Sequence, residues 1–325
     1  MTPAVALEID GEARPGAYRD RLQAVIVRDE SGIISDTVEL AFDDHDGRLA
    51  IPERGHRFQV SLGYGDRLTS VGRFFVDDIF LSSSGTMRLV GKGFDTMADV
   101  KSTGSRVYAA TNIKALLEEV GRVHKLKVLA AEALARLAIV ADQPMVQRNE
   151  SAIHFMSRIS EEHRLTLKLQ GDTILALPKG AGLSVSGKPL PSVLLTPKDV
   201  GAWEFEFVSR PLYGSVEAEC FDLDSAQSET VTMGSGQPVF RFRQVFDSVT
   251  RARQAVAAKF AEVQRAGIVG TIEMQGNPSI MSESPVELRG FRQKIDGPWI
   301  VSAATHTVNP GASYRLRFAC ERREP

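Results

Sequence analysis

The histidines are the first residues to test for chemistry, because they are common metal ligands and general bases. Two of the six, His154 and His163, fall in one predicted helix, with Glu161 and Glu162 beside the second. They are nine positions apart, over two helical turns, whereas a zinc protease needs its two histidines one turn apart. The spacing predicts a partly exposed helix surface and no metal site.

A second candidate is the carboxylate pair Asp77-Asp78, which lies in a predicted strand. Neighbouring strand residues point to opposite faces, so the two groups cannot flank one glycosidic bond. The chain has no GxSxG turn and no P-loop, and Gly91-Lys92-Gly93 lacks the third glycine of a dinucleotide fingerprint. We therefore expect that the chain has no catalytic residue, binds no cofactor and is not an enzyme.

Three further reactive side chains share the phase of apolar neighbours in alternating segments: Cys220, Cys320 and His306. This pattern predicts buried core residues, with the histidine hydrogen-bonded. Two distant cysteines give no disulfide framework, so a reducing compartment is expected.

Charge and hydropathy exclude several classes of protein. The 325 residues include 39 lysines and arginines against 41 aspartates and glutamates, a formal net charge of −2. This balance argues against a general nucleic-acid binder. The N-terminus does not resemble a signal peptide, and no uncharged apolar run reaches about 18 residues, so we expect a cytoplasmically made chain without a membrane span.

The elements that must position these residues change character along the chain. Residues 1–95 alternate apolar and polar in short runs, which predicts strands of a barrel or sandwich. Residues 96–185 mix helical spacing with a hairpin and predict an α/β middle domain. Residues 186–325 return to alternation, with one helix near 248–266. The fold class expected is α+β and β-rich.

Several local features follow from the same patterns. A helix is predicted from a cap at Thr111 or Asn112 to Gly121, and another from a cap at Asn149 or Ser151 to His163. A further helical stretch is predicted near 129–137, a linker at 180–188 and a loop at 222–236. The run Val71–Leu81 is apolar on both phases, which predicts a strand covered on both faces.

The segments together resemble the phage late control D protein family, the baseplate hub of contractile tails. The resemblance rests on Gly72–Asp78 followed by Met87–Asp95, on Gln147–Ile159 followed by Glu161-Glu162-His163, and on Gly297–Val301 followed by Gly311–Leu316. Ala152 stands where the family often has aspartate, and Ser160 where it often has alanine. Neither departure changes the expected fold.

The resemblance implies a homotrimer in which each chain supplies two β-barrel tube-type domains around the middle domain. Three chains would then form a pseudo-sixfold ring between a sixfold tail tube and a threefold spike. Implied partners are the central spike protein, a tail tube or tube-initiator protein and baseplate wedge proteins. DNA could pass through the ring without specific binding. The implied location is the virion baseplate or a tail-like particle.

A covered strand in such a ring would supply part of the subunit contact. The candidate interface residues are those of the doubly apolar strand: Phe74, Phe75, Val76, Ile79 and Phe80.

Two alternatives stay open. One is the spike hub of a bacterial secretion or injection system, or of a bacteriocin particle; because the sequence stops at Pro325 after its last predicted strand, its spike would be a separate chain. The other is a cell-wall hydrolase or glycan-binding module. Sugar-binding modules more often expose aromatic residues, and only two tryptophans, Trp203 and Trp299, occur here.

Overall fold

The computed structural model describes residues 2–9, 12–13, 18–33, 36–94, 99–139, 145–182, 188–207, 213–222, 227–264 and 268–322. Within these ranges the chain is β-rich, with three α-helices and two short 3-10 turns. None of the described helices has both the length and the apolar content needed to cross a bilayer.

The strands of the first third and the middle are β1 (Pro3–Ile9), β2 (Glu12–Ala13), β3 (Leu22–Glu30), β4 (Thr37–Asp43), β5 (Arg57–Tyr64), β6 (Arg67–Ser82), β7 (Thr86–Lys92), β8 (Thr103–Tyr108), β9 (Lys127–Ala130), β10 (Met145–Ser151), β11 (Leu165–Gln170) and β12 (Thr173–Pro178). The strands of the last third are β13 (Val193–Leu195), β14 (Val200–Phe207), β15 (Ser215–Asp222), β16 (Gln227–Gly234), β17 (Val239–Phe246), β18 (Ile268–Gln275), β19 (Pro285–Leu288), β20 (Gly297–Asn309) and β21 (Ser313–Arg322).

The three α-helices begin at side-chain caps. Asn112 accepts a hydrogen bond from the Ala115 N–H at 2.9 Å and caps α1 (Ile113–His124). The predicted end at Gly121 is wrong, because the helix continues to His124 and ends at Lys125 in a left-handed conformation. Ser151 caps α2 (Ala152–His163) through the His154 N–H at 3.2 Å.

Ser248 accepts from the Arg251 N–H at 3.3 Å at the start of α3 (Val249–Gln264). The predicted end of this helix at residue 266 lies outside the described residues, as does most of the predicted linker at 180–188.

Two local predictions are wrong because strand pairing outweighs local pattern. Residues 129–137 are not one helix: β9 pairs in parallel with β12, and only Glu132–Arg136 forms a 3-10 turn. The predicted loop at 222–236 contains β16, which pairs with β15 over eight residues. Val231 is the buried residue of β16 and packs against α3 and its sheet, while backbone pairing with β15 holds the other, polar residues in the strand.

The large sheet contains thirteen strands from both the first and the last third of the chain. Its main path runs β14-β18-β21-β20-β3-β4-β7-β6-β5-β1-β2, and β13 and β19 branch from β20. The two thirds meet where β3 pairs antiparallel with β20, Val25–Glu30 opposite Ala303–Val308. We call this pairing the internal joint.

The strand order of the first third recurs in the last third. The first strand set, β3-β4-β7-β6-β5, is antiparallel throughout. The second strand set, β14-β18-β21-β20-β19, has the same order and the same directions. In chain order, β3 to β7 thus correspond to β14, β18, β19, β20 and β21. The second set carries an insertion, β15–β17 with α3, between its first two strands.

Two β-bulges fall at corresponding places and fix the residue alignment of the sets. In β6 the register against β7 shifts between Val76 and Asp78, and in β20 the register against β21 shifts between Val301 and Ala303. The pairing of β3 with β4 shifts between Leu22 and Ala24, and that of β14 with β18 between Val200 and Ala202. Because a bulge disrupts the ladder at one point, two matched bulges indicate one repeated architecture.

Each part of the chain has its own core. One core surrounds Phe42 and Phe74 in the first strand set, and another surrounds Trp299 and Phe318 in the second. The middle packs α1 and α2 on its small sheets, with Tyr108 stacked on Phe155. No set of strands among the described residues closes into a complete barrel, so the two-barrel arrangement stays a proposal.

Candidate functional site: the free strand edges and the buried polar junction

The five predicted interface residues of β6 occupy two different environments. Phe74, Phe75 and Val76 are buried within the single chain. The Phe74 ring packs on Phe58 at 5.8 Å between centroids, and the Arg57 guanidinium lies 5.4 Å from the Phe75 centroid. The chain itself therefore covers both faces of this part of the strand.

The end of β6 is open. Ile79 is half-buried, Phe80 is 45% exposed and Leu81 is 57% exposed. The Arg88 guanidinium lies 4.5 Å from the Phe80 centroid, a cation–π contact at the surface. Of the five residues, Phe80 is the one that a partner could cover directly; the interface role of the strand stays a prediction.

Backbone pairing also ends along this part of β6. The strand pairs with β5 as far as Phe75, while its last residues pair only with β7 among the described strands. We call Asp78–Ser82 the β6 edge. Its backbone groups on the side away from β7 are a template for another strand.

A second free edge belongs to β14, whose described pairing is with β18 alone. Trp203 and Phe207 are 40% and 45% exposed, and Glu204 and Glu206 alternate with them. We call Glu204–Phe207 the β14 edge. Unlike many protected edges it carries no lysine or proline.

The internal joint shows how such edges look when covered. His306 of β20 lies opposite Val27 and is completely buried, which confirms the predicted core histidine. Its Nε2 donates to the Ile280 carbonyl at 3.1 Å, so its Nδ1 accepts from the Tyr314 hydroxyl at 2.9 Å. Burial lowers the pKa of His306 to about 4, so the ring is neutral. Cys220 and Cys320 are buried as predicted.

A buried ionic cluster ties the middle to the first strand set. The Lys168 ammonium on β11 donates to Asp29 on β3 and lies 2.9 Å from an oxygen of Asp36 before β4. Burial opposes ionisation of Asp29, but the attraction of Lys168 and its hydrogen bonds outweigh burial and lower its pKa. Burial raises the pKa of Asp36 to about 7 despite Lys168, with Asp29 adding repulsion.

The last third joins the same cluster. The Ser282 N–H and hydroxyl donate to Asp29 at 2.7 and 2.8 Å. Glu283 accepts from the hydroxyls of Ser31 at 2.7 Å and Thr166 at 3.0 Å, and its own φ is +65°. A strained backbone with three-way hydrogen bonding indicates a fixed junction of all three parts. Sequence reasoning missed it, because the three segments that supply its members lie over a hundred positions apart.

A second ionic network joins α2 to α3. Arg158 lies 2.7 Å from Glu150 and 3.3 Å from Glu162, and Arg251 lies 3.6 Å from Glu162 and 2.9 Å from Asp247. These pairs position the inserted β15–β17 unit on the middle. Within the described ranges no three side chains are grouped as metal ligands.

Comparison with known proteins decides the family. A model of the phage tail baseplate hub (GPD) family matches residues 96–312, more than half of the chain. The chain belongs to the phage tail baseplate hub family. Baseplate hub proteins are components of the phage tail baseplate, so this hub-family chain associates with other baseplate components.

Relatives and solved structures are similar over nearly the whole hub chain. The probable baseplate hub proteins of Escherichia phages 186 and P2 are 24% and 23% identical, over 95% of this chain and 90% of each relative.

The tail protein of Neisseria meningitidis MC58 has a TM-score of 0.70 at 13% identity, covering 99% of this chain and 97% of its own. An Escherichia coli type VI secretion component has a TM-score of 0.61 at 12% identity, covering 98% and 77%. These structures support the fold.

Proposed function

We propose that this hub protein is a homotrimeric adaptor that joins a sixfold tail tube to a threefold central spike. The observation that most supports this proposal is the repeated strand set: one chain presents the same strand order twice, with matching bulges. Three such chains would present six similar surfaces to the tube and three to the spike. The sets would then act as the two barrel-type tube domains expected from the sequence.

The geometry supports a mechanical role. The two strand sets share one sheet, and the Asp29–Lys168 pair fixes the middle to it. In the ring, the middle would lie outside, facing baseplate wedge proteins, while the tube or its initiator and the spike contact the two ends. DNA could pass through without specific binding. Assembly would take place in the host cytoplasm.

We further propose that the hub is not an enzyme. The described acidic side chains with perturbed pKa values belong to ion pairs or hydrogen-bonded turns, such as Asp46 with Arg21. A zymogram with purified protein tests this directly: intact peptidoglycan is expected, and clearing would contradict the proposal in favour of a hydrolase.

The alternative is a spike hub of a secretion or injection system or a bacteriocin particle. The fold is similar to that of the type VI secretion component and of the Francisella PdpA-VgrG complex, at TM-scores of 0.61 and 0.57. This similarity is the reason to retain the secretion-system alternative. Both candidates use the same junction between a tube and a spike.

Electron microscopy of particles carrying a label on this chain tests the location. The label is expected at the tube–spike junction, in three copies. A label at the tube's far end, along the sheath or on the fibres would contradict the proposal.

A further inference from the structure

We propose that the β14 edge of one hub chain pairs antiparallel with the β6 edge of the next chain, in the register of the internal joint. This inference rests on the proposed trimer and adds the contact that builds it. Within one chain, the first strand of one set already pairs with the fourth strand of the other. The equivalent contact in the opposite direction, β14 on β6, is unmade in the described chain.

The strand registers translate the internal joint residue by residue. The shared bulge aligns Val301 with Val76, so Ala304, Thr305, His306 and Thr307 correspond to Ile79, Phe80, Leu81 and Ser82. The β3 bulge aligns Ala24 with Ala202, so Asp29, Arg28, Val27 and Ile26 correspond to Phe207, Glu206, Phe205 and Glu204.

The internal joint then dictates the pairs between chains. Because Thr305 faces Arg28 inside the chain, Phe80 is placed opposite Glu206 of the neighbour. The flanking pairs are Ile79 with Phe207, Leu81 with Phe205, and Ser82 with Glu204.

The two edges are chemically complementary in this register. In this register Leu81 and Phe207, which are both exposed in the single chain, lie on the same face of the joined sheet, while Phe80 lies on the opposite face across from Glu206. The Glu206 carboxylate of the neighbour would lie beside the Phe80 ring. The Arg88 guanidinium, which lies over that ring, would offer the carboxylate a positive charge. Because the β14 edge of one chain contacts the different β6 edge of the next, the contact is heterologous, which is the kind of contact that builds a ring of three chains. Three chains would then contain three internal joints and three equivalent joints between chains.

Disulfide trapping tests the register in the full-length chain. Neighbouring antiparallel pairs alternate between two geometries, with Cα atoms about 4.5 and 5.5 Å apart, both within disulfide range. Two double variants, Phe80→Cys/Glu206→Cys and Ile79→Cys/Phe207→Cys, therefore cover both geometries. The matched control, Phe80→Cys/Glu204→Cys, shifts the register by two residues. Cys220 and Cys320 are buried and stay in place.

The expected result is a reductant-sensitive three-chain band for at least one in-register variant, at least tenfold stronger than the control band. The linked peptides should join residue 80 to 206, or 79 to 207. If light scattering shows trimers but neither in-register pair links, or the control links equally, the joint is wrong while the proposed function stands. If the chain stays monomeric with and without spike protein, the proposed trimer fails, and the joint with it.

Discussion

The two strand sets share one architecture but differ in what covers their fourth strand. In the second set, the end of β20 is covered by β3, and His306 and Val308 are completely buried. In the first set, the corresponding end of β6 is bare, and Leu81 is 57% exposed. The exposed apolar residues of β6 therefore occupy a position that, in the second set, a neighbouring strand covers.

The sequences of the two ends agree with this difference. The covered end of β20 carries a small side chain, Ala304, and a hydrogen-bonded one, His306. Both are buried next to β3 of the same chain. The bare end uses Phe80 and Leu81, whose apolar area favours association. We infer that the same backbone geometry serves folding in one set and assembly in the other.

The largest expected effect concerns the corresponding core anchors. Trp299 and Phe74 occupy equivalent positions and are both buried, so Trp299→Ala and Phe74→Ala should each lower the free energy of unfolding by about 4 kcal/mol. Urea unfolding measures both. Val107→Ala, at a position on β8 that is 61% exposed, is the control and should cost under about 1 kcal/mol. A large loss for only one of the two anchors would break the equivalence of the sets.

The junction that fixes the sets to the middle should respond next. Lys168→Met leaves Asp29 and Asp36 buried without their cation and should cost about 3 kcal/mol in urea unfolding at pH 8. Lys92→Met removes a more exposed pair with Asp77 and should cost under about 1 kcal/mol. Equal losses would show that burial of the junction is not what matters.

The pH dependence of the same junction has a defined sign. Because folding raises the pKa of Asp36 from 3.8 to about 7, the folded chain holds the extra proton between those values. This group therefore makes stability fall as pH rises through that window.

Asp36→Asn should remove this pH dependence, so relative to the parent chain its free energy of unfolding should be higher at pH 8 than at pH 4 by about 4 kcal/mol. His306, with a lowered pKa, acts in the opposite direction below about 6.5 in both chains, so the difference between them isolates Asp36. A constant difference between pH 4 and pH 8 would contradict the assignment.

The smallest effect on folding should come from the bare edge. Leu81→Ser should change the free energy of unfolding of the isolated chain by less than about 0.5 kcal/mol, because the side chain is exposed. It should still weaken self-association at least tenfold in sedimentation experiments. Leu129→Ser, at a comparably exposed position on β9 of the middle, is the control and should leave association unchanged. Weakening by both variants would remove the special role of the β6 edge.

Much of the fold could be predicted from the sequence, because local pattern reports burial. Alternation located β4 and β5, and the doubly apolar run located β6. Capping chemistry placed the starts of α1 and α2 at Asn112 and Ser151. The polar strand β16 could not be predicted, because Val231 is its one buried residue and the strand therefore shows no apolar alternation.

The candidate site was less accessible to sequence reasoning. The doubly apolar pattern could not separate Phe74, covered by its own chain, from Phe80, which is exposed. The repeated strand order is also hidden, because equivalent positions hold different residues, such as Gly91 and Cys320 opposite the aligned valines. Strand pairing, which is non-local, was needed to see it.

The most direct test of the central claim is the native mass of the purified chain, alone and with its spike protein. We predict a closed complex of three chains, since each chain supplies two equivalent strand sets. A chain that remains monomeric under both conditions, or a ring of six chains, would contradict it.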